Sequence, residues 1–242
     1  MTTRGERRPA PAPTGQATDS LGQVRANEVS VTLRASDIAV HIGSRTVLDG
    51  VDLEAAPGQV LAVTGPAGAG KTTLLHVLAG IISPTEGTVT VNGDHPPGHW
   101  RAAATSIGFV AQTFGLAAAL SMEENIALPL QLLKLPRAEV ADRVQNTISA
   151  LGMENAGRQL ATELSGGQQQ KAAVGRAIVA EPRLIIADEP TSELDSASRD
   201  LVFGLFRAAA ERGANVVVAT HDPDLVQNCD RVITLANGLV VS

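Results

Sequence analysis

A glycine-rich run, Gly65-Pro66-Ala67-Gly68-Ala69-Gly70-Lys71-Thr72, matches the spacing G-x-x-x-x-G-K-[ST]. Glycines at these places let consecutive backbone N–H groups turn inward and form a nest for phosphate oxygens. The apolar run QVLAV before it reads as a strand. TTLLHVLAG after it reads as a helix, whose N-terminus adds its dipole. Lys71 is then a point charge for the terminal phosphates, and the Thr72 hydroxyl is a ligand for Mg²⁺. A chance glycine-rich turn would not be expected in that strand–loop–helix setting.

Two adjacent carboxylates, Asp188 and Glu189, end the apolar run Leu184-Ile185-Ile186-Ala187. Ligands of open α/β sheets bind beyond the carboxyl ends of strands. Asp188 is therefore expected to reach a Mg²⁺ shell, and Glu189 to polarise the attacking water as general base. Alone, such a pair is equally well explained by a strand ending in a solvated loop; the phosphate loop upstream favours the chemical reading. In Leu164-Ser165-Gly166-Gly167-Gln168, Ser165 with Gln168 three residues later is a capping box that starts a helix. The two glycines open that helix end to an anion. One chain has no evident use for two phosphate-binding helix ends, which points to two chains sharing the nucleotides. His221 follows the run VVVAT and would face the same crevice, where phosphate contact is the expectation. Gln112, at the end of SIGFVA, suits holding Mg²⁺ or water.

These residues need elements to position them. VTLRASDIAVHI alternates weakly, as an edge strand would. VLDGVDLEAAPGQVLAVTG gives two strands around an APG turn, and KTTLLHVLAG a helix ending at Gly80. GTVTVNG and SIGFVAQ read as further strands. Residues 121–160 carry helical periodicity at Met122, Ile126, Leu130 and Leu133, then at Val140, Val144, Ile148 and Leu151. LIIAD and NVVVATHD are continuous apolar runs suited to parallel strands covered on both faces. RVITLANGLVV closes as a hairpin with an Asn-Gly turn. The pattern predicts an α/β core with a β-rich addition in front and a helical insertion in the middle.

Bulk properties agree. Of 242 residues 44% are apolar, enough for a sizeable core, but only 2% are aromatic and none is Tyr, so Val, Leu, Ile and Ala must fill it. Net charge −6 gives no footprint for nonspecific nucleic-acid binding. The single cysteine, Cys229, permits no intrachain disulfide and fits a reducing compartment. No segment reaches the ~20 apolar residues of a membrane helix, and no signal peptide is expected. Residues 1–29, rich in Pro, Ala, Gly, Thr and Arg, read as a disordered tail.

The ordered set GPAGAGKT, Gln112, LSGGQ, LIIADE, SELD and His221 resembles the ABC transporter ATPase family over about residues 31–242. LSGGQ is the diagnostic element, because other phosphate-loop NTPases lack it. The resemblance implies one ATPase domain at 30–242. Its α/β fold would be a phosphate-loop NTPase core with a mixed, mainly parallel sheet, an antiparallel β-subdomain and a helical subdomain at about 114–165. It implies ATP and Mg²⁺ as cofactors, and a homodimer or paired ATPase subunits sandwiching two ATP molecules. Integral-membrane permease subunits would be the partners at the cytoplasmic face of the cell membrane, with no nucleic acid. By residue, Gly65, Pro66, Ala67, Gly68, Ala69, Gly70, Lys71, Thr72 and Thr73 would bind phosphates. Thr72, Gln112 and Asp188 would hold Mg²⁺. Ser165, Gly166, Gly167 and Gln168 would meet the nucleotide held by the other subunit. Glu189 would be the catalytic base, His221 the switch and Gln112 the sensor facing the permease, while Asp195 closes the SELD loop across the dimer. GFVAQTFGLAAALSMEENIALPL and PTSELDSAS look like the bacterial group of lipoprotein-releasing and macrolide-exporting ATPases. A regulator that moves a membrane partner without transport is the alternative. Repair-type ATPases would need long coiled coils between the phosphate loop and LSGGQ, and translation-type ones two cassettes.

The chain also departs from the family pattern. The expected adenine-stacking aromatic near Ile42 is missing, with only His41 beside it. Lys171 stands where the family carries Arg, Glu193 where it has a small residue, and Ala111 where it has an aromatic. His95 and His99 are separated by a Pro-Pro-Gly run that excludes a helix, so no metal site is expected there; Trp100 reads as packing, and Cys229 as a buried small apolar residue.

Overall fold

The computed structural model describes residues 32–91 and 107–242. The N-terminal tail at 1–29 and His95, His99 and Trp100 lie outside the described residues.

Strand β1 (Leu33–Ile42) pairs with β2 (Arg45–Ala55) across a tight turn at Gly43. After β3 (Val60–Thr64) and α1 (Lys71–Leu78) comes β4 (Glu86–Val91), which pairs with the other side of β1. The three-stranded antiparallel sheet therefore has the order β2-β1-β4. β1 is its central strand, which corrects the edge-strand expectation. Weak alternation reports that one face meets solvent; it does not report how many neighbours a strand has.

The main sheet continues with β5 (Ile107–Val110), β6 (Leu184–Asp188), β7 (Asn215–Ala219), β8 (Arg231–Ala236) and β9 (Leu239–Val240), in the order β5-β6-β7-β3-β8-β9. All its pairs are parallel except β8–β9. Asn237 (φ 51°) and Gly238 (φ 80°) both take the left-handed conformation that a two-residue hairpin turn requires. Along β6 and β7 every residue is buried. Leu184, Ile186, Val217 and Ala219 face α1 and the antiparallel sheet, while Ile185, Ala187, Val216 and Val218 face the opposite helical layer. That explains the unbroken apolar runs. Each fully buried Ile or Val here contributes about 1.5–3 kcal/mol.

The periodic block at 121–160 divides into α2 (Met122–Ala127), a 3₁₀ turn at Leu128–Leu132 and α3 (Arg137–Ala150). Pro129 and Pro136 stand at the starts of the second and third pieces, where a missing N–H costs least. Of the eight periodic residues, Met122, Ile126, Leu130, Val144, Ile148 and Leu151 are buried, while Leu133 and Val140 are half-buried against the same core. Ser121 and Glu124 form a capping box at the start of α2. Buried Asn125 pins the preceding loop through bonds to Ala117, Leu120 and Ser121. Among the described residues the remaining helices are a 3₁₀ turn at Ala161–Glu163, α4 (Gly166–Ile178), α5 (Ser196–Glu211) and α6 (Pro223–Gln227).

Candidate active site

Parallel pairing aligns the carboxyl ends of four neighbouring strands. Asp188 pairs with Ala219 and Val63 with Ala219, so β3, β6 and β7 end level, with Val110 of β5 one step behind beside Ala187. Gly65, Gln112, Glu189 and His221 all emerge just beyond this edge, as predicted from sequence.

The phosphate loop turns on Gly65 (φ 136°), Gly68 (φ 75°) and Gly70 (φ 106°). A Cβ on Gly65 would lie 2.1 Å from Leu235 O, so glycine is required there by close approach as well as by φ; at Gly70 the φ of 106° is the requirement. The β8–β9 hairpin supports the loop from behind, where Gly238 N–H donates to Ala69 O at 3.1 Å. The first α1 bond is Leu74 N–H to Gly70 O, so the N–H groups of residues 71–73 are not consumed by the helix. Lys71 Nζ spans the loop and donates to Gly65 O at 2.8 Å and Pro66 O at 3.2 Å.

Two side-chain pairs sit beside this loop. Thr72 Oγ1 donates to Asp188 Oδ2 at 2.6 Å. Asp188 is almost fully buried, and burial pushes its carboxyl above the usual range; the Glu189 charge adds to this, against the Thr72 hydrogen bond and the charges of His76 and Lys71. His221 Nδ1 donates to Glu189 Oε1 at 2.9 Å. The His221 side chain is 76% exposed and that of Glu189 only 12%, so the carboxylate is recessed and the imidazole faces outward.

Glu189 has φ 49°, a left-handed conformation that costs about 1–2 kcal/mol for a non-glycine residue. Its carbonyl is held by Gln170 Nε2 at 2.7 Å, Ser192 Oγ at 3.2 Å and Ser192 N–H at 3.3 Å, and its N–H donates to Ala219 O. Gln170 was not singled out from sequence. Its signal was present: it lies on the apolar stripe of α4 with Ala173, Val174 and Ala177, where a fully buried polar residue needs a partner. Its Oε1 also accepts the Glu193 N–H at 3.0 Å.

The other predicted residues are placed separately. Ser165 and Gln168 form their capping box, and among the described residues their side-chain bonds stay within it. A Cβ on Gly166 would lie 3.3 Å from Glu193 Oε2, and one on Gly167 would lie 3.0 Å from Glu193 O. These glycines therefore admit the SELD segment against the α4 terminus. Asp195 caps α5 through the Ser198 N–H; the Ser198 bonds hold its carboxyl below the usual range, helped by Lys171 and Arg199. Gln112 is exposed. Arg176, also unpredicted, ties the segment after Gln112 to α4 by donating to Gly115 O at 2.6 Å and Phe114 O at 2.9 Å. Ile42 is 60% exposed, and His41 Nδ1 lies 3.1 Å from Thr46 Oγ1. Cys229 is half-buried and bonded to Leu225 O; burial pushes its thiol up to about 11.

Residues 48–192 match the ABC transporter family model, spanning the phosphate loop, the LSGGQ helix and the Asp188–Glu189 strand end. The chain belongs to the ABC transporter ATP-binding family. It is 35% identical over 205 residues to the lipoprotein-releasing system ATP-binding protein LolD of Hyphomonas neptunium, covering 82% of this chain and 90% of the relative. It is 38% identical over 202 residues to the LolD of Nitrobacter hamburgensis, covering 81% and 87%. Among solved structures, the dimeric cassette MJ0796 superposes with a TM-score of 0.82 at 29% identity, covering 87% of this chain and 97% of that one. A post-hydrolysis dimer of the same cassette, bound to ADP and Pi, gives 0.80 at 30% identity. The chain is thus an ATP-binding, ATP-hydrolysing subunit of an ABC transporter. Among the described residues no helix is long and apolar enough to cross a membrane.

Proposed function

We propose that this ABC ATPase turns over Mg²⁺-ATP at a site shared by two copies of the chain and so drives an integral-membrane permease from the cytoplasmic face of the membrane. The observation that supports this reading is the split of the chemistry. Lys71, the Thr72–Asp188 pair and the Glu189–His221 pair gather at one sheet edge, while the capped Ser165–Gly167 helix end bonds within its own element.

The donor set fits Mg²⁺. A hydroxyl and a recessed carboxylate lie in contact, both hard oxygen ligands, and no cluster of three or more His, Cys, Asp or Glu that could hold a metal occurs among the described residues. Mg²⁺ is commonly held this way, by one or two protein oxygens plus substrate phosphates. Thr72 and Asp188, with Gln112 swung in from its exposed loop, would hold it. When bound, the ion neutralises charge on the β- and γ-phosphates. Lys71 exchanges its two carbonyl partners for phosphate oxygens. Glu189, fixed by its strained and triply bonded backbone, orients the attacking water and accepts its proton. His221 holds that carboxylate in place and presents its exposed ring edge to the γ-phosphate. The partner's copy of the α4 terminus supplies N–H donors from the far side.

The test mixes a Lys71→Ala subunit with a Ser165→Arg subunit, each inactive alone. A mixed dimer holds one doubly damaged and one intact composite site, so random pairing should restore about a quarter of wild-type turnover. No recovery in a mixture that demonstrably forms mixed dimers refutes the shared site.

A further inference from the structure

Arg199 lies in the first turn of α5, directly behind the Asp195 cap, and its backbone N–H donates to Asp195 O at 2.9 Å. Its Nη1 donates to Asp222 Oδ2 at 3.1 Å. Asp222 is the neighbour of His221, and its side chain is 14% exposed. Its other oxygen, Oδ1, accepts the Asp224 N–H at 3.0 Å, and its own N–H donates to Thr220 Oγ1 at 3.0 Å. Asp222 is therefore fixed on the carboxyl end of β7 and on α6, and Arg199 is what ties it to α5.

The connectivity closes a ring. The segment from Glu189 to Arg199 and the segment from Thr220 to Asp222 are cross-linked twice. Glu189–His221 joins them at one end, and Arg199–Asp222 joins them at the other. Packing supports the second link from further along the helices: Leu225 of α6 is buried in one apolar cluster with Val202 and Phe206 of α5, and Arg207 of α5 donates to Asn228 O. A solvent-open pocket of about 50 Å³ lined by Ser196, Arg199, Phe203, Asp222 and Leu225 lies between α5 and α6, and among the described residues Arg199 Nε is buried without a partner. At the start of α5, the polar tie to the residue after His221 is thus the Arg199–Asp222 pair.

We propose that Arg199 is a positioning residue for ATP hydrolysis: through Asp222 it transmits the placement of the Ser192–Asp195 segment to His221, and so keeps the His221 ring on Glu189. This rests on the reading above that Glu189 and His221 act in hydrolysis. A movement of the SELD segment, for example on contact with a second subunit, is then felt at His221 through this guanidinium as well as through Glu189. The ion pair lies outside the residues assigned to nucleotide, so its loss should act on turnover more than on binding.

The experiment compares Arg199→Met, which keeps length and loses charge, with Arg199→Lys, His221→Ala and the Arg199→Met/His221→Ala double variant. Steady-state turnover is measured against Mg²⁺-ATP, with single-turnover rates where activity is low. Arg199→Met should lower kcat about 5–20-fold, with KM within about twofold, and Arg199→Lys should recover most of that loss. In the His221→Ala background Arg199→Met should change the residual rate less than about twofold. In nucleotide-free protein Arg199→Met should also shift the His221 ring resonance while leaving those of His41 and His76 in place. Unchanged kcat in Arg199→Met, an unshifted His221 resonance, KM rising in step with the loss of kcat, or a full multiplicative loss in the His221→Ala background each overturns the proposal. Wild-type turnover in His221→Ala would instead remove the underlying role of His221, and the proposal with it.

Discussion

Asp188→Asn separates the cost of the site from its use. The carboxylate is buried, receives one hydroxyl hydrogen bond from Thr72, and stands next to Glu189. Asparagine keeps the acceptor oxygen and the shape but removes the charge. An incompletely compensated buried polar group costs on the order of 1 kcal/mol. For a domain of this size that is a rise of about 2–4 °C in Tm, measured without nucleotide or Mg²⁺. The sign follows from the raised carboxyl: the native state holds its proton to higher pH than the unfolded chain does, so wild-type stability falls as pH rises through the native value. The gain should therefore grow as pH rises above the ordinary carboxylate range and be absent well below it, where wild-type Asp188 is protonated in both states. Turnover should move the other way. Losing an anionic Mg²⁺ ligand forfeits several kcal/mol of charge stabilisation, a drop of about 10²-fold or more. Differential scanning calorimetry across pH and a coupled phosphate-release assay check the two arms. An asparagine variant that melts lower at pH 8, or hydrolyses ATP like wild type, refutes the reasoning.

Glu189→Gln should lower turnover by about 10²–10⁴-fold while leaving ATP binding intact. In size-exclusion chromatography with Mg²⁺-ATP it should trap a dimer, whereas the nucleotide-free protein elutes as a monomer or weak dimer; wild-type-like turnover would remove the base assignment. Ile42→Tyr places an aromatic ring on an exposed strand end whose neighbour His41 is engaged by Thr46. ATP should bind about fivefold tighter, corresponding to about 1 kcal/mol of stacking, and discriminate better against GTP; sub-micromolar ATP affinity of the unmodified chain would show that another group already stacks the base.

The central strands β6 and β7 were legible because double-sided burial leaves short continuous apolar runs bounded by polar residues. LIIAD and NVVVA have no polar residue to spare for solvent, and both are buried throughout. The residues beyond their carboxyl ends followed from the same geometry. The Asn237-Gly238 turn and the Ser165–Gln168 capping box were equally readable, since each is a local device completed within a few residues. What escaped were long-range polar links. Gln170 holds the Glu189 carbonyl from 19 positions away, and Arg176 reaches Gly115 across 61. Nothing local distinguishes the buried glutamine in Gln168-Gln169-Gln170 until the helix face is known. The place of β1 in its sheet was missed for a related reason, because strand order is decided by partners far along the chain. The two helices and 3₁₀ turn between 121 and 150 kept the predicted apolar face, but their breaks depend on Pro129 and Pro136.

The hairpin behind the phosphate loop bears on when this protein becomes competent. Gly65 and Ala69 rest on Leu235 and Gly238, residues that leave the ribosome long after the loop itself. A nascent chain that has already exposed every glycine, the lysine and the threonine still lacks the wall that gives them their conformation. Nucleotide capture would then be expected to wait until β8 has closed on β3 and β9 on β8. Partly synthesised copies would not hold ATP, and so could not pair unproductively around it while translation continues. The order of synthesis would then act as a timer on assembly, through one pair of backbone contacts.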